Sequence, residues 1–281
     1  MARTQAALSN HQHRGAGNGK PGGRRFDLGR FDPSAKPFSS GSKARDKARA
    51  AELALEIDHL QDLFYADRRF KLLVVLQGTD TSGKDGTIRR VFQHVDPLGV
   101  RVACFKSPSL EEQSFDYLWR VHGQVPAKGE IVIFNRSHYE DVCIARVRKL
   151  IPHHVWERRY AQITDFERML HEEGTTILKF FLNIGRDEQK KRLEARRDDP
   201  DKRWKFTRAD VEERKLWSSY IEAYQEALSR TSTDWAPWYV VPANHKWYRN
   251  LVVASVIVET LSGLKMHYPK AAEDVERLTI E

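Results

Sequence analysis

A glycine-rich loop that directly follows a buried strand constrains the fold of this chain more than any other feature. Residues 71–77 form a short, continuous apolar run, which is typical of a strand buried on both faces. The chain then reads Gly78-Thr79-Asp80-Thr81-Ser82-Gly83-Lys84, and a helical pattern follows. The spacing G-x-x-x-x-G-K between a strand and a helix predicts a phosphate-binding loop. A Gly-rich turn without a ligand is the alternative interpretation.

The chemistry of this loop depends on its backbone amides and on the lysine. Glycines let the backbone approach an anion closely, so that successive N–H groups and the helix N-terminus bind phosphate oxygens. The lysine adds a positive charge to these donors. We expect phosphate to be bound by the residues at the start of the helix: Gly83, Lys84, Asp85, Gly86 and Thr87.

Two acidic residues make the loop unusual. Lys84 is followed by Asp85, at the position of the Ser or Thr that normally holds Mg²⁺. Asp80 lies inside the loop, where its carboxylate would repel phosphate unless a metal ion lay between them. Asp80 is therefore predicted to bind Mg²⁺ or to direct the attacking phosphate. The alternative is that Asp80 only caps the loop.

Four further apolar runs resemble the first one, and helical patterns alternate with them. The predicted strands are 71–77, 100–105, 131–134, 176–184 and 238–241. The predicted helices start with a pattern from residue 42 to 67 and continue at 84–96, 110–123, 137–149, 153–173, 186–198, 207–231 and 245–265. Ser109 with Glu112, and Thr207 with Asp210, are predicted capping boxes. This order predicts an α/β fold with a parallel five-stranded sheet and helices on both faces.

A second charged cluster follows the strand at 131–134. Arg136 comes directly after the carboxyl edge of the sheet, where ligands bind in open α/β folds, and could stabilise charge on a transferring phosphoryl group. Glu140 and Asp141 come one turn later, while Asn135 takes the place of the acid that usually ends this strand. Asp141 is a candidate metal ligand together with Asp80. Alternatively, the two acids only favour the dipole of the helix that they begin.

A third cluster combines two helical patterns with a basic connection. Pro200 separates the patterns, and the whole segment at about 186–210 is predicted to be a lid that closes over phosphates. A solvated, salt-bridged helical hairpin is the alternative. The candidate phosphate ligands in the lid are Arg192, Arg196, Lys202, Arg203 and Lys205.

The net charge of +8 belongs to the beginning of the chain. Residues 1–50 contain eleven Lys and Arg but three Asp and Glu, whereas the rest of the chain has equal numbers of both signs. We expect a basic, mostly disordered tail over 1–42, of which 26–33 could pack on the body, and one phosphotransferase domain over 43–281. Because the excess charge lies in the tail, no nucleic-acid partner is expected.

Composition excludes several other classes of protein. The two cysteines cannot form a disulfide framework, and no C-x-x-C zinc pair is present. No apolar run approaches the roughly 20 residues of a membrane span. We therefore expect a cytoplasmic protein without a membrane partner.

Four motifs, taken together, resemble the polyphosphate kinase 2 family. They are Gly78–Thr87, residues 135–142 (NRSHYEDV), residues 202–206 (KRWKF), and residues 236–243 (APWYVVPA) followed by 246–249 (KWYR). The resemblance covers roughly residues 25–281. It implies a P-loop kinase-like fold with a helical lid, similar to that of thymidylate kinases, and assembly into a homodimer or homotetramer. The reaction that it implies is Mg²⁺-dependent phosphoryl transfer between inorganic polyphosphate and nucleoside phosphates, with Mn²⁺ as a substitute ion.

The resemblance also implies roles for single residues. Asp80 matches the catalytic Asp of the family's loop, Lys84 its phosphate-binding Lys, and Arg136 the Arg of its second motif. Arg192, Arg196 and Lys205 match lid positions that would grip polyphosphate. Glu140 is counted as a fourth catalytic residue. An acid at this position resembles the pattern of the subgroup that accepts both nucleoside mono- and diphosphates, such as AMP, ADP and GDP.

Three other functions are alternatives that the sequence allows. An ATP-dependent P-loop kinase of a nucleoside or small metabolite would share the loop but would not use polyphosphate. A nucleic-acid-binding module would depend on the basic tail. An inactive P-loop scaffold would have no need for Lys84 and Arg136.

Overall fold

A six-stranded sheet organises the computed structural model, which describes residues 12–13, 26–272, 275 and 280. The strands are β1 (Gln12–His13), β2 (Lys71–Gln77), β3 (Val100–Cys104), β4 (Ile131–Asn135), β5 (Thr175–Asn183) and β6 (Trp238–Pro242). Their order across the sheet is β1-β6-β5-β2-β4-β3. Strands β2 to β6 pair in parallel, and β1 adds two residues antiparallel to β6. The predicted five-stranded parallel sheet is confirmed.

Helices cover both faces of the sheet. They are α1 (Lys43–Asp67), α2 (Lys84–Val91), α3 (Trp119–His122), α4 (Glu140–Val147), α5 (His153–Glu172), α6 (Arg186–Asp198), α7 (Arg208–Lys215), α8 (Trp217–Thr231) and α9 (Lys246–Gly263). Alternate residues of β2 point to opposite faces: Leu72 and Val74 pack with α1, α2 and α9, while Leu73 and Val75 pack with α4, α5 and α8. Burial of both faces explains why β2 and β4 are continuous apolar runs, whereas the edge strand β3 is partly exposed. Within the described residues, no helix is both long and apolar enough to cross a bilayer.

The helix predicted over 110–123 is wrong. The structure has only a 3-10 turn at Glu112–Ser114 and the single helical turn α3. The predicted capping box is nevertheless present, since Ser109 N–H donates to Glu112 Oε2 at 2.7 Å and Glu112 N–H donates to Ser109 Oγ at 3.1 Å. The chain leaves the helical path because Phe115 is extended and the Asp116 side chain accepts the N–H of Leu118 at 2.9 Å. The predicted helix 207–231 is likewise divided into α7 and α8 at Leu216.

The segment before α1 lies against the body of the protein from residue 26 onward. Phe26 and Leu28 are buried in the apolar cluster that contains α8. Phe26 N–H donates to Ser229 Oγ at 2.8 Å, and Leu28 N–H donates to Gln225 Oε1 at 2.9 Å. The predicted packing of 26–33 is therefore confirmed. Residues 1–11 and 14–25 of the predicted tail lie outside the described residues, so the division between tail and domain stays a prediction.

A buried ionic network lies on the α5 side of the sheet. Lys179 Nζ of β5 is 2.6 Å from Glu167 Oε2 of α5, and neither side chain is exposed. Glu167 Oε1 accepts the hydroxyl of Tyr139 at 2.8 Å and lies 3.2 Å from His138 Nε2. His138 and Tyr139 lie between Arg136 and the start of α4. The network therefore fixes the connection from which the Arg136 side chain emerges.

Candidate active site

The loop between β2 and α2 has a backbone that requires glycine at both ends. Gly78 has a φ of +150°, and a Cβ there would lie 2.8 Å from the carbonyl oxygen of Leu182. Gly83 has a φ of +103°, and a Cβ there would lie 1.8 Å from Arg249 Nη1. Inside the loop, Ser82 N–H donates to Thr79 O at 3.2 Å. The glycines thus permit both the turn and the close approach of neighbouring groups.

Lys84 folds back along the loop. Its Nζ donates to Gly78 O at 2.8 Å and to Thr79 O at 3.4 Å. Burial lowers the pKa of Lys84 to about 8, and the charge of Arg136 contributes to the shift. The carboxylates of Glu140 and Asp80 act in the opposite direction, as does that of Asp85. The charged groups predicted from separate motifs therefore lie close enough to act on one another.

Arg136 and Glu140 form an ion pair beside the loop. Arg136 Nη1 is 3.3 Å from Glu140 Oε2, and Arg136 has a left-handed backbone with a φ of +65°. The end of β4 is also tied to the start of α2, because Asn135 Nδ2 donates to Asp85 Oδ1 at 2.8 Å. These contacts bring together the four predicted catalytic residues at one edge of the sheet, with Asp80 acting on both Lys84 and Arg136.

Three of the five predicted lid ligands reach the loop. Arg196 Nη1 is 3.4 Å from Asp80 Oδ2, and Lys205 Nζ is 3.7 Å from Asp85 Oδ2. The third residue, Arg192, contacts loop carbonyls. The other two stay on the lid itself, where Lys202 pairs with Asp199 and Arg203 Nε donates to Arg197 O at 2.8 Å.

All donor nitrogens of Arg192 are occupied by protein. Its Nη1 donates to Thr81 O at 2.9 Å and Ser82 O at 3.1 Å. Its Nη2 donates to Ala243 O at 2.6 Å and Asn244 O at 3.0 Å, while Nε is 2.7 Å from the carboxylate of residue 188. Arg192 therefore holds the loop in place from the lid side, and its predicted contact with polyphosphate would require some of these bonds to open.

Two residues of the site were missed at the sequence level. Gln189 is buried, and its Nε2 donates to Asp80 O at 3.2 Å. Arg249 is buried, and its Nη1 donates to Ser82 O at 3.2 Å. The sequence carries a signal for Arg249, since this residue ends the family motif at 246–249. No sequence pattern marks Gln189.

A family model described as polyphosphate kinase 2 matches residues 40–269 of this chain. The chain belongs to the polyphosphate kinase 2 family. It is 55% identical over 262 residues to an AMP/ADP-polyphosphate phosphotransferase of Meiothermus ruber, a match that covers 93% of this chain and 98% of the relative. It is 41% identical over 260 residues to an ADP-polyphosphate phosphotransferase of Rhodopseudomonas palustris, covering 88% of this chain and 90% of the relative. The resemblance inferred from the motifs is thereby confirmed.

Solved structures of polyphosphate kinase 2 proteins share the fold. The crystal structure of polyphosphate kinase 2 from Arthrobacter aurescens TC1 superposes with a TM-score of 0.87 at 46% identity, over 90% of each chain. A putative polyphosphate kinase 2 from Pseudomonas aeruginosa matches with a TM-score of 0.76 at 32% identity, over 84% of this chain and 50% of that one. The predicted P-loop kinase-like fold is confirmed.

Phosphotransferases of the P-loop type use a divalent metal ion, and Asp80 fits one part of such a site. Its side chain is 32% exposed and is paired only loosely with Arg196. Among the described residues, no group of three or more His, Cys, Asp or Glu could hold a metal ion without help. Since Mg²⁺ is usually held by one or two carboxylates together with substrate phosphates, a single carboxylate among phosphate-binding cations is a suitable donor set.

The carboxylate of Asp141 lies in a different set of contacts. Its Oδ2 is 3.4 Å from Arg120 Nη2, and its Oδ1 is 3.9 Å from Arg159 Nη1. Burial raises the pKa of Asp141, although both arginines oppose the shift. Both carboxylate oxygens of Asp141 therefore lie near arginines, and the metal-binding role of Asp141 stays a prediction.

The lowered pKa of Lys84 predicts a pH limit for donor binding. Because the free enzyme loses the Lys84 proton above about pH 8, kcat/KM for polyphosphate should fall about tenfold per pH unit there. Bound phosphate favours the protonated form, so kcat should stay constant to higher pH. The check is a pH profile of both constants at saturating nucleotide, with Lys84→Met as a low, pH-independent baseline. A decline that starts only near pH 10 would contradict the assignment.

Proposed function

We propose that this enzyme transfers a phosphoryl group between inorganic polyphosphate and nucleoside mono- and diphosphates, including AMP, ADP and GDP. The observation that carries the proposal is the convergence of Asp80, Lys84, Arg136 and Glu140 at the sheet edge, with Arg196 and Lys205 of the lid paired to loop acids. The relatives in Meiothermus and Rhodopseudomonas, an AMP/ADP- and an ADP-polyphosphate phosphotransferase, support the same reaction.

The donor side of the reaction is assigned to the loop and the lid. The first amides of α2 have no intrahelical partner, and together with Lys84 they would bind terminal phosphates. Arg196 and Lys205 would exchange their contacts with Asp80 and Asp85 for polyphosphate oxygens when the lid, at about 186–210, closes. Lys202 and Arg203 would hold the chain farther along the lid. A polyanion requires several such cations.

The transfer step needs positioning and charge neutralisation more than a base. An oxygen of the nucleotide phosphate attacks the terminal phosphorus of polyphosphate, and the bridging P–O bond breaks, which leaves polyphosphate one unit shorter. The nucleophile is already anionic. Arg136, oriented by Glu140, would stabilise the charge on the transferring group. Mg²⁺, held by Asp80 and the substrate phosphates, would neutralise further charge when it is bound.

Several properties beyond the reaction are part of the proposal. We assign the enzyme to the cytoplasm, with a homodimer or homotetramer as its assembly and no nucleic acid among its partners. Residues 1–42 are assigned to the tail and 43–281 to the catalytic domain. Mn²⁺ is expected to replace Mg²⁺, and Asp141 would complete the metal site only if its pairs with Arg120 and Arg159 open.

A donor and acceptor assay tests the proposed function. Long-chain polyphosphate with Mg²⁺ is supplied to AMP, ADP and GDP in separate reactions, and each phosphorylated product is quantified. We expect product from all three acceptors, and loss of product on chelation of the metal ion. A parallel series uses ATP as the donor with the same metal. Transfer from ATP alone would contradict the proposal and would favour an ATP-dependent P-loop kinase.

A further inference from the structure

Arg249 of α9 is a buried cation directly behind the phosphate loop. Its residue exposure is 2%. Nη1 donates to Ser82 O at 3.2 Å, while Nε and Nη2 donate to Asn250 Oδ1 at 3.2 Å and 2.9 Å. Both partners are neutral, and no carboxylate of the described residues lies within ion-pair distance of the guanidinium. Burial lowers the pKa of Arg249 to about 9, and the nearby charge of Arg192 adds to this effect.

Two other buried cations among the described residues, Lys179 and Arg230, have acidic partners. Lys179 is paired with Glu167 at 2.6 Å. Arg230 is 2.8 Å from Glu157 Oε1 and also pairs with Glu226 on its own helix. A buried charge is normally paired because removing it from water is costly. The unpaired charge of Arg249 therefore destabilises the unliganded protein.

The position of Arg249 relates this charge to the phosphate site. A Cβ on Gly83 would lie 1.8 Å from Nη1, and a Cβ on Gly86 would lie 3.4 Å from Nη2. The guanidinium thus fills the space behind the first turn of α2, whose free amides are the predicted phosphate donors. The opposite charge that the buried guanidinium lacks would be supplied by phosphate on the other side of the loop. In a poorly hydrated site this attraction is stronger than in water.

We propose that Arg249 is a positioning residue for the donor phosphate, whose buried charge destabilises the free enzyme and is compensated when a phosphate chain occupies the loop. The inference rests on the proposed function in taking a phosphate chain as the ligand. Arg249 would act through the Ser82 carbonyl and the turn at Gly83, and it would not contact the substrate directly. Relief of this destabilisation on binding would then increase the affinity of the enzyme for the donor.

Thermal unfolding of Arg249→Met, with and without tripolyphosphate and Mg²⁺, tests the inference. Met fills similar space without charge. We expect the Tm of the free variant to rise by about 2–4 °C, because an uncompensated charge is removed. We also expect a smaller tripolyphosphate-induced rise in Tm than in the wild type, and a KM for polyphosphate about tenfold higher with a smaller change in kcat. Arg249→Lys retains the charge and should recover much of the ligand-induced rise.

Arg230→Met is the matched control, since Arg230 is a buried arginine with acidic partners in α5 and α8. It should lower the Tm of the free protein and leave both the ligand-induced rise and the KM unchanged. A free Arg249→Met protein that is less stable than the wild type, or that does not fold, overturns the inference, as does an unchanged ligand-induced rise. The wild type, measured in parallel, separates the two proposals. If the wild type does not turn over polyphosphate, the proposed function fails. The ligand-induced rise in Tm is then measured with ATP in place of tripolyphosphate.

Discussion

Replacement of Asp80 by Asn is expected to reduce phosphoryl transfer by about a thousandfold or more while the fold stays intact. The carboxylate lies inside the phosphate loop, acts electrostatically on Lys84 and Arg136, and is the acidic donor that fits a metal ion shared with substrate phosphates. Asparagine has nearly the same shape but no charge, so it would neither hold the metal ion nor orient the phosphates. The measurement is kcat and kcat/KM with polyphosphate and ADP across a range of Mg²⁺ concentrations.

The stability of the Asp80→Asn variant should change little. The only ion pair of Asp80 in the described structure joins it to Arg196 at 3.4 Å, and the pair is partly exposed, so its loss costs at most about 1 kcal/mol. Asp165→Asn is the matched control, because Asp165 pairs with Arg168 at 2.8 Å on the exposed side of α5. The control should retain full activity. Turnover by Asp80→Asn near the wild-type level would refute the assigned role.

The strands and the loop could be predicted because their signals are local. Strand β2 lies at 71–77 as predicted. A strand that is buried on both faces is a continuous apolar run, and the adjacent strands determine its length. The loop glycines have backbone angles that other residues adopt only with strain. The helix predicted over 110–123 failed for an equally local reason, because Asp116 competes for backbone N–H groups where the apolar pattern alone favours a helix.

The partners of charged side chains could not be predicted from spacing. The sequence placed Asp141 one turn after Arg136, but its arginines come from positions 120 and 159, on other elements of the fold. Arg192 and Arg196 do share a helical face, yet the former binds loop carbonyls and the latter binds Asp80. Helical spacing determines which face a residue occupies. Tertiary packing determines what that face meets.

Replacement of Lys179 by Met is expected to lower the free energy of unfolding by about 3–5 kcal/mol. The change leaves the Glu167 carboxylate buried without its cation. Burial alone would raise the pKa of Glu167, but Lys179 and His138 outweigh it and hold that pKa below its ordinary value. Equilibrium unfolding in urea, monitored by tryptophan fluorescence, measures the loss. Lys190→Met is the matched control, since Lys190 forms an exposed pair with Glu194 at 3.8 Å and its removal should cost under about 1 kcal/mol.

The double variant Lys179→Met with Glu167→Leu separates a buried charge from a loss of packing. If the unpaired carboxylate causes the loss, removing it as well should restore most of the stability, although the hydroxyl of Tyr139 then loses an acceptor. Activity should not recover to the same degree, because Glu167 also holds His138 and Tyr139 in the connection that carries Arg136. A double variant as unstable as the single one would show that Lys179 acts through packing and its other hydrogen bonds.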